Sequence, residues 1–423
     1  MSARSQSVAV LFGAAFLSSV AHAGALPTLV PETASQPVRA SQSAILDNLT
    51  YEAAHQIVGQ AGTGTSAAVP PGDPRYLATA PFYSGVAALQ TQYSFVTSAG
   101  GSGVANFVCT GSLLPDRVSI LTAAHCVKPP SPSTSGGVTT TYTGVAGITA
   151  WFYGGGQDVV VYNNPAVATG VAAASFAANP LYSGRVVDSN DTAVIRLSQA
   201  APSFARSYQL SPAKNLSNLP YNVAGYGLRS LTGGNVGTSG ANALGTGRLR
   251  QGINRYDFSY GDALWGGFFT DPDGSGSYFF GGNQDVSNTW ISGFYQGNPA
   301  NDQACLLATR GFGYTTAQVP WCGKYDSNEV TTAGGDSGGP QFVYGLISSV
   351  TSFGQTYGTD FGDFLAGLNN SWGELNGFAP VYSNLAFIRS QVLPGTALVP
   401  APGTVAVLGL GLAGLAALRR RKA

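Results

Sequence analysis

Short apolar runs rich in Val, Thr, Tyr and Phe recur between residues 82 and 393, and Gly, Asn, Ser and Pro separate them. Runs of this length bounded by turn residues are typical of β-strands. The pattern predicts strands that include Val118–Leu121, Val138–Thr143, Asp158–Tyr162, Thr192–Leu197, Tyr221–Tyr226 and Gln341–Val350. In the last segment, apolar residues three and four positions apart predict a closing helix over Ser383–Val392. We therefore expect an all-β chain with a short C-terminal helix.

The predicted strands extend over roughly 310 residues, which is more than one small sandwich needs. They suit two barrels or sandwiches side by side. We expect an N-terminal unit at residues 82–200 and a C-terminal unit at residues 201–393, with Ser198–Pro212 as the connection. No internal repeat of about 20 to 50 residues is visible, so a propeller or a solenoid is not expected.

Both ends of the chain have the composition of targeting segments. Residues 1–23 combine Arg4, an apolar run and a small-residue ending, which predicts a cleaved secretory signal peptide. Residues 24–81 are rich in Ala, Pro, Ser and Gly and are interpreted as a leader or propeptide, with one helix-like stretch over 47–57. Residues 394–423 form a linker and an uncharged segment, Gly403–Leu418, which would span roughly 24 Å as a helix and precedes a run of Arg and Lys.

The C-terminal segment resembles the PEP-type sorting signal of Gram-negative bacteria, except that Ala401 stands where that signal has Glu. The resemblance implies a stop-transfer segment that holds the chain in the membrane until a sorting protease processes it. Together with the signal peptide, it predicts export from a Gram-negative bacterium to the periplasm, the outer surface or the extracellular space.

The charge and the cysteine content indicate which partners to expect and whether the cysteines form disulfides. Only 9% of the 423 residues are charged and the formal net charge is zero, against about 25% charged residues in an average globular protein. A nucleic-acid partner is therefore not expected. Four cysteines in an exported chain favour two disulfides over thiols or a metal site, and three connectivities are possible. The acidic loop Asp271–Gly276 lacks the later bidentate acid of an EF-hand, so an ordinary turn is preferred to a calcium site.

The glycine-rich stretch Gly334–Pro340 (GGDSGGP) contains the candidate nucleophile Ser337. A serine hydroxyl needs an imidazole to accept its proton, and the imidazole works best with a carboxylate partner. Of the three histidines, one lies in the signal peptide and one in the leader, so His125 is the candidate base. Asp191, at the head of a predicted strand, is the acid in a suitable setting.

The stretches TAAHC, DTAVIRL and GGDSGGP, in this order, resemble the motifs of the chymotrypsin/trypsin-like serine proteases. The resemblance covers about residues 82–392. It implies two antiparallel six-stranded Greek-key β-barrels and protein or peptide substrates, without a metal or an organic cofactor. It also implies that His125 is the general base, Asp191 its orienting acid and Ser337 the nucleophile. The backbone N–H groups of Gly335 and Ser337 would form the oxyanion hole.

The same resemblance assigns the supporting residues of the site. The implied disulfides are Cys109–Cys126 and Cys305–Cys322. Asp336 would pair with the new amino terminus after zymogen cleavage. The implied substrate-binding residues are Thr331, Ser352, Phe353 and Gly354. Since Thr331 is uncharged, the resemblance favours cleavage after small or medium apolar residues.

Two alternatives stay open. The chain is either a serine endopeptidase made as a zymogen or a catalytically silent trypsin-fold protein that binds a surface or matrix. The activating cleavage is either between Gln56 and Ile57, since Ile57-Val58-Gly59 resembles the new terminus of this family, or after Arg75.

Overall fold

The computed structural model describes residues 28–29, 33–36, 39–46, 49–54, 58–59, 74–79, 81–155, 157–270, 279–280, 282, 284–326 and 328–400. The predicted signal peptide, the loop at Asp271, and residues His55 and Ile57 lie outside these ranges. The C-terminal segment from residue 401 onward also lies outside them. No helix among the described residues is long and apolar enough to cross a membrane.

The described elements are mainly antiparallel strands. In the leader they are β1 (Thr28–Leu29), β2 (Thr33–Gln36), β3 (Arg39–Leu46), β4 (Leu49–Ala54) and β5 (Val58–Gly59). In the first half they are β6 (Val86–Thr97), β7 (Ser102–Leu113), β8 (Ser119–Thr122), β9 (Ser133–Ser135), β10 (Val138–Tyr153), β11 (Ala168–Ala178) and β12 (Ala193–Leu197). In the second half they are β13 (Pro220–Gly225), β14 (Arg229–Ser230), β15 (Ala243–Leu244), β16 (Arg250–Arg255), β17 (Phe258–Ser259), β18 (Trp290–Gly293), β19 (Val330–Thr331), β20 (Pro340–Val343), β21 (Leu346–Thr356) and β22 (Leu375–Pro380). The helices are α1 (Gln303–Leu306) and α2 (Val381–Gln391).

The first half forms a closed six-stranded barrel. Its strands pair in the order β11, β12, β8, β7, β6 and β10, and β10 also pairs with β11. The long strand β10 can close the ring because it pairs with β6 along most of its length, and Thr149–Phe152 pair with both β6 and β11. Side chains that alternate along these strands fill the interior with residues such as Leu89, Ile120 and Phe152, all fully buried.

The second half is a curled sheet with the strand order β16, β13, β20, β21, β22 and β18. Its two end strands are linked by a side chain, because Asn254 in β16 donates to the carbonyl of Gly293 in β18 (2.7 Å). The buried residues Tyr256, Trp290 and Phe378 pack edge to face between these strands. Together, the two halves confirm the expected all-β fold of two antiparallel barrels with a short C-terminal helix.

The leader contains a strand where the sequence predicted a helix. β4 pairs with β3 on one side and with β21 on the other, so the leader adds strands to the second sheet. Its side chains alternate, since Tyr51 and Ala53 are buried and Glu52 is exposed. Pairing with an existing strand edge outweighs a local helix preference of this size.

Two predicted strands are wrong. Asp158–Tyr162 is a loop, in which the buried carboxylate of Asp158 pairs with Arg250 (2.8 Å). Gln341–Val350 is two strands, because the chain turns at Tyr344 and Gly345 with φ of +51° and +81°. A positive φ is rare for tyrosine, so Tyr344 was not a recognisable turn position in the sequence. The strands predicted near β8, β12 and β13 and the closing helix α2 are confirmed to within two residues, and β10 extends ten residues beyond Thr143.

Candidate active site

His125 and Asp191 are brought together by two neighbouring strands of the first barrel. β8 ends at Thr122 and β12 begins at Ala193, and these two residues are paired in the sheet. A single helical turn after β8 presents His125, and Asp191 lies just before β12. The imidazole Nδ1 is 2.7 Å from Asp191 Oδ2, and the backbone N–H of His125 donates to Oδ1 (3.0 Å). Both oxygens of the carboxylate therefore hold the same histidine.

The Asp191 carboxylate also receives a hydrogen bond from the second barrel. Ser352 Oγ donates to Asp191 Oδ2 at 2.6 Å, and both side chains are fully buried. Three contacts, two from His125 and one from Ser352, therefore hold this carboxylate in one orientation. Ser352 was assigned to substrate binding from the sequence, and this second contact was not foreseen.

Ser337 lies at the junction of the two barrels, in the turn between β19 and β20. Its carbonyl accepts from the N–H of Thr110 (2.8 Å) in β7 of the first barrel. The sulfur of Cys126 lies 3.6 Å from this carbonyl and 3.7 Å from His125 Nε2. The backbone carbonyl of Ser337 and the imidazole of His125 therefore lie next to the same sulfur atom. Within the described residues, the Ser337 hydroxyl itself makes no hydrogen bond, and its side chain is 3% exposed.

The backbone around Ser337 is suited to binding an anion. Gly335 has φ of +104° and Gly338 has φ of +79°, which are conformations that favour glycine. Thr110 Oγ1 donates to the carbonyl of Gly335 (2.9 Å) and fixes this peptide unit. The N–H groups of Gly335 and Ser337 donate to no acceptor in the described part of the chain. Thr110 was not singled out from the sequence, because nothing in the TAAHC or GGDSGGP motifs points to it.

Asp336 is buried against two glycines of the second barrel. Its carboxylate accepts from the N–H of Gly227 (2.8 Å) and of Ala333 (2.9 Å). A Cβ atom at Gly225 or at Gly227 would collide with this carboxylate. The Gly-Tyr-Gly sequence at 225–227 is therefore explained by the space that Asp336 needs.

The residues assigned to the substrate pocket lie together next to this turn. Gly354 in β21 is paired with Asn376 in β22. Asn376 Oδ1 accepts from Thr331 Oγ1 (2.7 Å) and from the backbone N–H of Thr332 (2.7 Å). The buried Phe353 ring packs over Gly377, where any Cβ would collide with it. The residues assigned to the pocket are neutral, and Asn376 is a neighbour of Thr331 that the sequence reasoning missed.

Residues 84–251 match the family model Trypsin. The matched stretch contains His125 and Asp191 and ends before Ser337. Comparison with curated proteins gives no match. The family match and the paired barrels support a trypsin-like serine protease fold, for which peptides or proteins are the substrates.

Both disulfides of the trypsin-like resemblance are present. Cys109 is bonded to Cys126 and Cys305 to Cys322, and each bond closes a separation of 17 residues. The first one ties β7 to the turn that carries His125, so it supports the position of the imidazole. Disulfides and a trypsin-like domain are consistent with an exported protein.

One cluster of metal-ligating residue types lies among the described residues, formed by Cys109, Cys126 and His125. Its two sulfurs belong to the disulfide and offer no thiolates, which are the ligand form that zinc requires of cysteine. The cluster is better explained as the support of the histidine than as a metal centre.

Proposed function

We propose that the chain is an exported serine endopeptidase that cleaves peptide bonds through Ser337, His125 and Asp191. The observation that carries the proposal is the His125–Asp191 hydrogen bond of 2.7 Å beside the turn of Ser337. A buried carboxylate that orients an imidazole next to a serine is the arrangement needed for nucleophilic catalysis.

In the proposed mechanism, His125 Nε2 accepts the proton of Ser337 Oγ while Oγ attacks the substrate carbonyl carbon. The carbonyl electron pair moves onto oxygen, and the N–H groups of Gly335 and Ser337 stabilise the oxyanion. The imidazolium then donates its proton to the leaving amine, and the C–N bond breaks. Water repeats the sequence on the acyl-enzyme and releases the carboxylic acid. Asp191 stabilises the imidazolium in both halves of the reaction.

The chain is proposed to be made as a zymogen. Val58 and Gly59 in β5 pair with Thr331 and Val330 in β19, which lies five residues before Asp336. This pairing supports cleavage before Ile57, because a new terminus there would begin next to the strand that leads to Asp336. Cleavage after Arg75 would instead remove β5 from the mature chain.

The pocket supports a preference for uncharged residues on the amino side of the cleaved bond. Thr331 and Asn376 offer hydroxyl and amide groups, and no carboxylate of the described residues bonds to either of them. An uncompensated basic side chain there would lose its hydration without a partner. Small or medium apolar side chains are therefore the proposed substrates at this position.

Export is proposed to follow from the signal peptide at residues 1–23. The PEP-type segment within residues 394–423 is proposed to hold the chain in the membrane until a sorting protease removes it. Sequencing of both termini of the mature protein tests these proposals. Residues 1–23 and the PEP-type segment within residues 394–423 should both be absent.

Labelling of the purified, processed chain with a fluorophosphonate tests the catalytic proposal. We expect covalent labelling of wild type at neutral pH and none of Ser337→Ala. Ser348→Ala, at a buried serine of β21 whose hydroxyl bonds to the carbonyl of Gln341, is the matched control and should still be labelled. Absence of serine-dependent labelling in a folded, processed chain would favour the catalytically silent alternative.

A further inference from the structure

One edge of β21 carries both the nucleophile turn and a strand of the leader. β22 pairs with β21 along Ser349–Gln355. On the opposite edge, Thr351 exchanges backbone hydrogen bonds with the turn after Ser337 at Gly338 and Gly339 (2.7 and 2.8 Å). The leader strand β4 pairs with this same edge at Gly354–Thr356. Only two residues of β21, Ser352 and Phe353, separate the leader from the nucleophile turn.

This edge is where an extended peptide would have to bind to reach Ser337. A peptide adds to an exposed strand edge through backbone hydrogen bonds, and pockets for its alternate side chains give the selectivity. In an antiparallel pair, a residue opposite Gly354 is followed two positions later by one opposite Ser352. The leader strand therefore covers the approach that a substrate would use.

Tyr51 anchors the leader strand in the second barrel. It is 2% exposed, and its ring lies 5.1 Å from the rings of both Phe279 and Phe280. Two residues later, Ala53 is fully buried in the same core, and Ala54 stands opposite Gly354. On the exposed face, Glu52 accepts the N–H of Leu368 (3.2 Å). The strand is fixed by side chains as well as by backbone pairing.

We propose that the leader strand Leu49–Ala54 occupies the peptide-binding edge of β21 and inhibits the protease from within the same chain. The proposal rests on the proposed function, because the edge matters only if Ser337 is a nucleophile for peptides. It also names the ligand class of this edge: an extended peptide with a small residue opposite Gly354 and an aromatic residue three positions earlier.

The inhibition is strong because the leader is tethered. A short linker gives an attached segment an effective concentration of about a millimolar. An added peptide of equal intrinsic affinity, at micromolar concentration, would therefore occupy this edge about a thousandfold less often than the tethered strand. Loosening the anchor of the tethered strand should open the edge to a peptide added in solution.

Binding of a fluorescein-labelled peptide, Leu-Thr-Tyr-Glu-Ala-Ala, to the full chain tests this proposal. The background is Ser337→Ala, so that the chain cannot cut itself. We expect the added Tyr51→Ala substitution to lower the Kd of the peptide at least tenfold, since the peptide supplies the tyrosine that the leader lost. Tyr344→Ala, at a tyrosine that is 79% exposed on the turn between β20 and β21, is the matched control and should leave Kd unchanged.

A second measurement needs no change in the leader. Unlabelled peptide at several millimolar, added to the Ser337→Ala chain, should speed amide exchange in Leu49–Ala54 while Gly354–Thr356 stay protected. Unchanged exchange in β4 at peptide saturation, or equal Kd values for a folded Tyr51→Ala chain and its parent, would overturn the inhibitory role. Neither result depends on catalysis, so the labelling experiment on Ser337 fails or succeeds independently.

Discussion

Asp191 and the buried acids of the second barrel lie in different surroundings. At the site face of the first barrel, Asp191 receives donors from His125 and from Ser352 and is held as the partner of a base. The second barrel buries several carboxyl groups away from the histidine, and burial is the largest cause that raises the pKa of each. They are Asp257, Asp302, Glu329, Asp363 and Glu374.

We therefore expect Asp191 to affect catalysis and the buried acids of the second barrel to affect stability. In the proposed mechanism Asp191 serves the reaction, whereas a buried acid whose pKa is raised holds a proton that the unfolded chain would release. Glu329 is an example, because its Oε2 accepts from the neutral backbone N–H groups of Tyr295 and Gln296, while burial raises its pKa to about 8. We expect substitutions in the two barrels to affect different measurements.

The largest effect should come from Asp191→Asn. The imidazole would lose the acceptor that fixes its orientation and stabilises its cation, so kcat should fall about 10⁴-fold while the substrate KM changes little. Steady-state hydrolysis of a peptide by the processed chain measures this. Asp188→Asn is the matched control, at a buried acid three residues away that accepts from Ser183 instead of His125. Equal losses in both variants would mean that Asp191 has no special role.

A smaller effect, on stability alone, should come from Glu329→Gln. The pKa of Glu329 lies near 8 in the folded chain against an ordinary value of 4.5, so the folded state holds more protons between these pH values. Its contribution to the free energy of unfolding is therefore greatest below about pH 4.5 and is lost as pH rises to about 8, by roughly 4 kcal/mol. Glutamine does not titrate, so the variant should show a shallower decline.

Urea unfolding at pH 5, 6.5 and 8 measures that decline. The other buried carboxyls continue to titrate in the variant, so its slope is reduced and not abolished. Asp360→Asn, at an exposed acid, should leave the wild-type slope unchanged. If wild type and Glu329→Gln lose stability in parallel, the carboxyl is already ionised in the folded chain.

The smallest effect should come from Ser352→Ala, which removes a hydrogen bond between the two barrels. It removes one donor to the Asp191 carboxylate, and a hydrogen bond to a charged group contributes about 1.5 kcal/mol or more. We expect kcat/KM to fall about tenfold. Ser348→Ala, on the same strand with its hydroxyl bonded to Gln341 and Tyr256, is the control. A rate equal to wild type would show that His125 alone suffices to hold Asp191.

The fold class was predictable because strands bounded by turn residues leave a local signal, and the histidine and serine motifs are local too. Contacts between segments that are distant in the sequence were not predictable, because no local pattern marks them. Ser352 meets Asp191 across 161 positions, and the bond of Thr110 to Gly335 spans 225, so neither has a pattern in sequence. The prediction of a helix in the leader was wrong for the same reason, since the conformation of this segment depends on pairing with the edge of β21.

The hydrogen bond from Ser352 to Asp191 connects strand β21 to the imidazole of His125 through one carboxylate. Any occupant that shifts β21 sideways alters the charge density on the oxygen that also faces the imidazole Nδ1. The proton on that nitrogen resonates far downfield in NMR spectra when it is held by a carboxylate. Its chemical shift should therefore report whether the cleft is filled, without any label on the ligand.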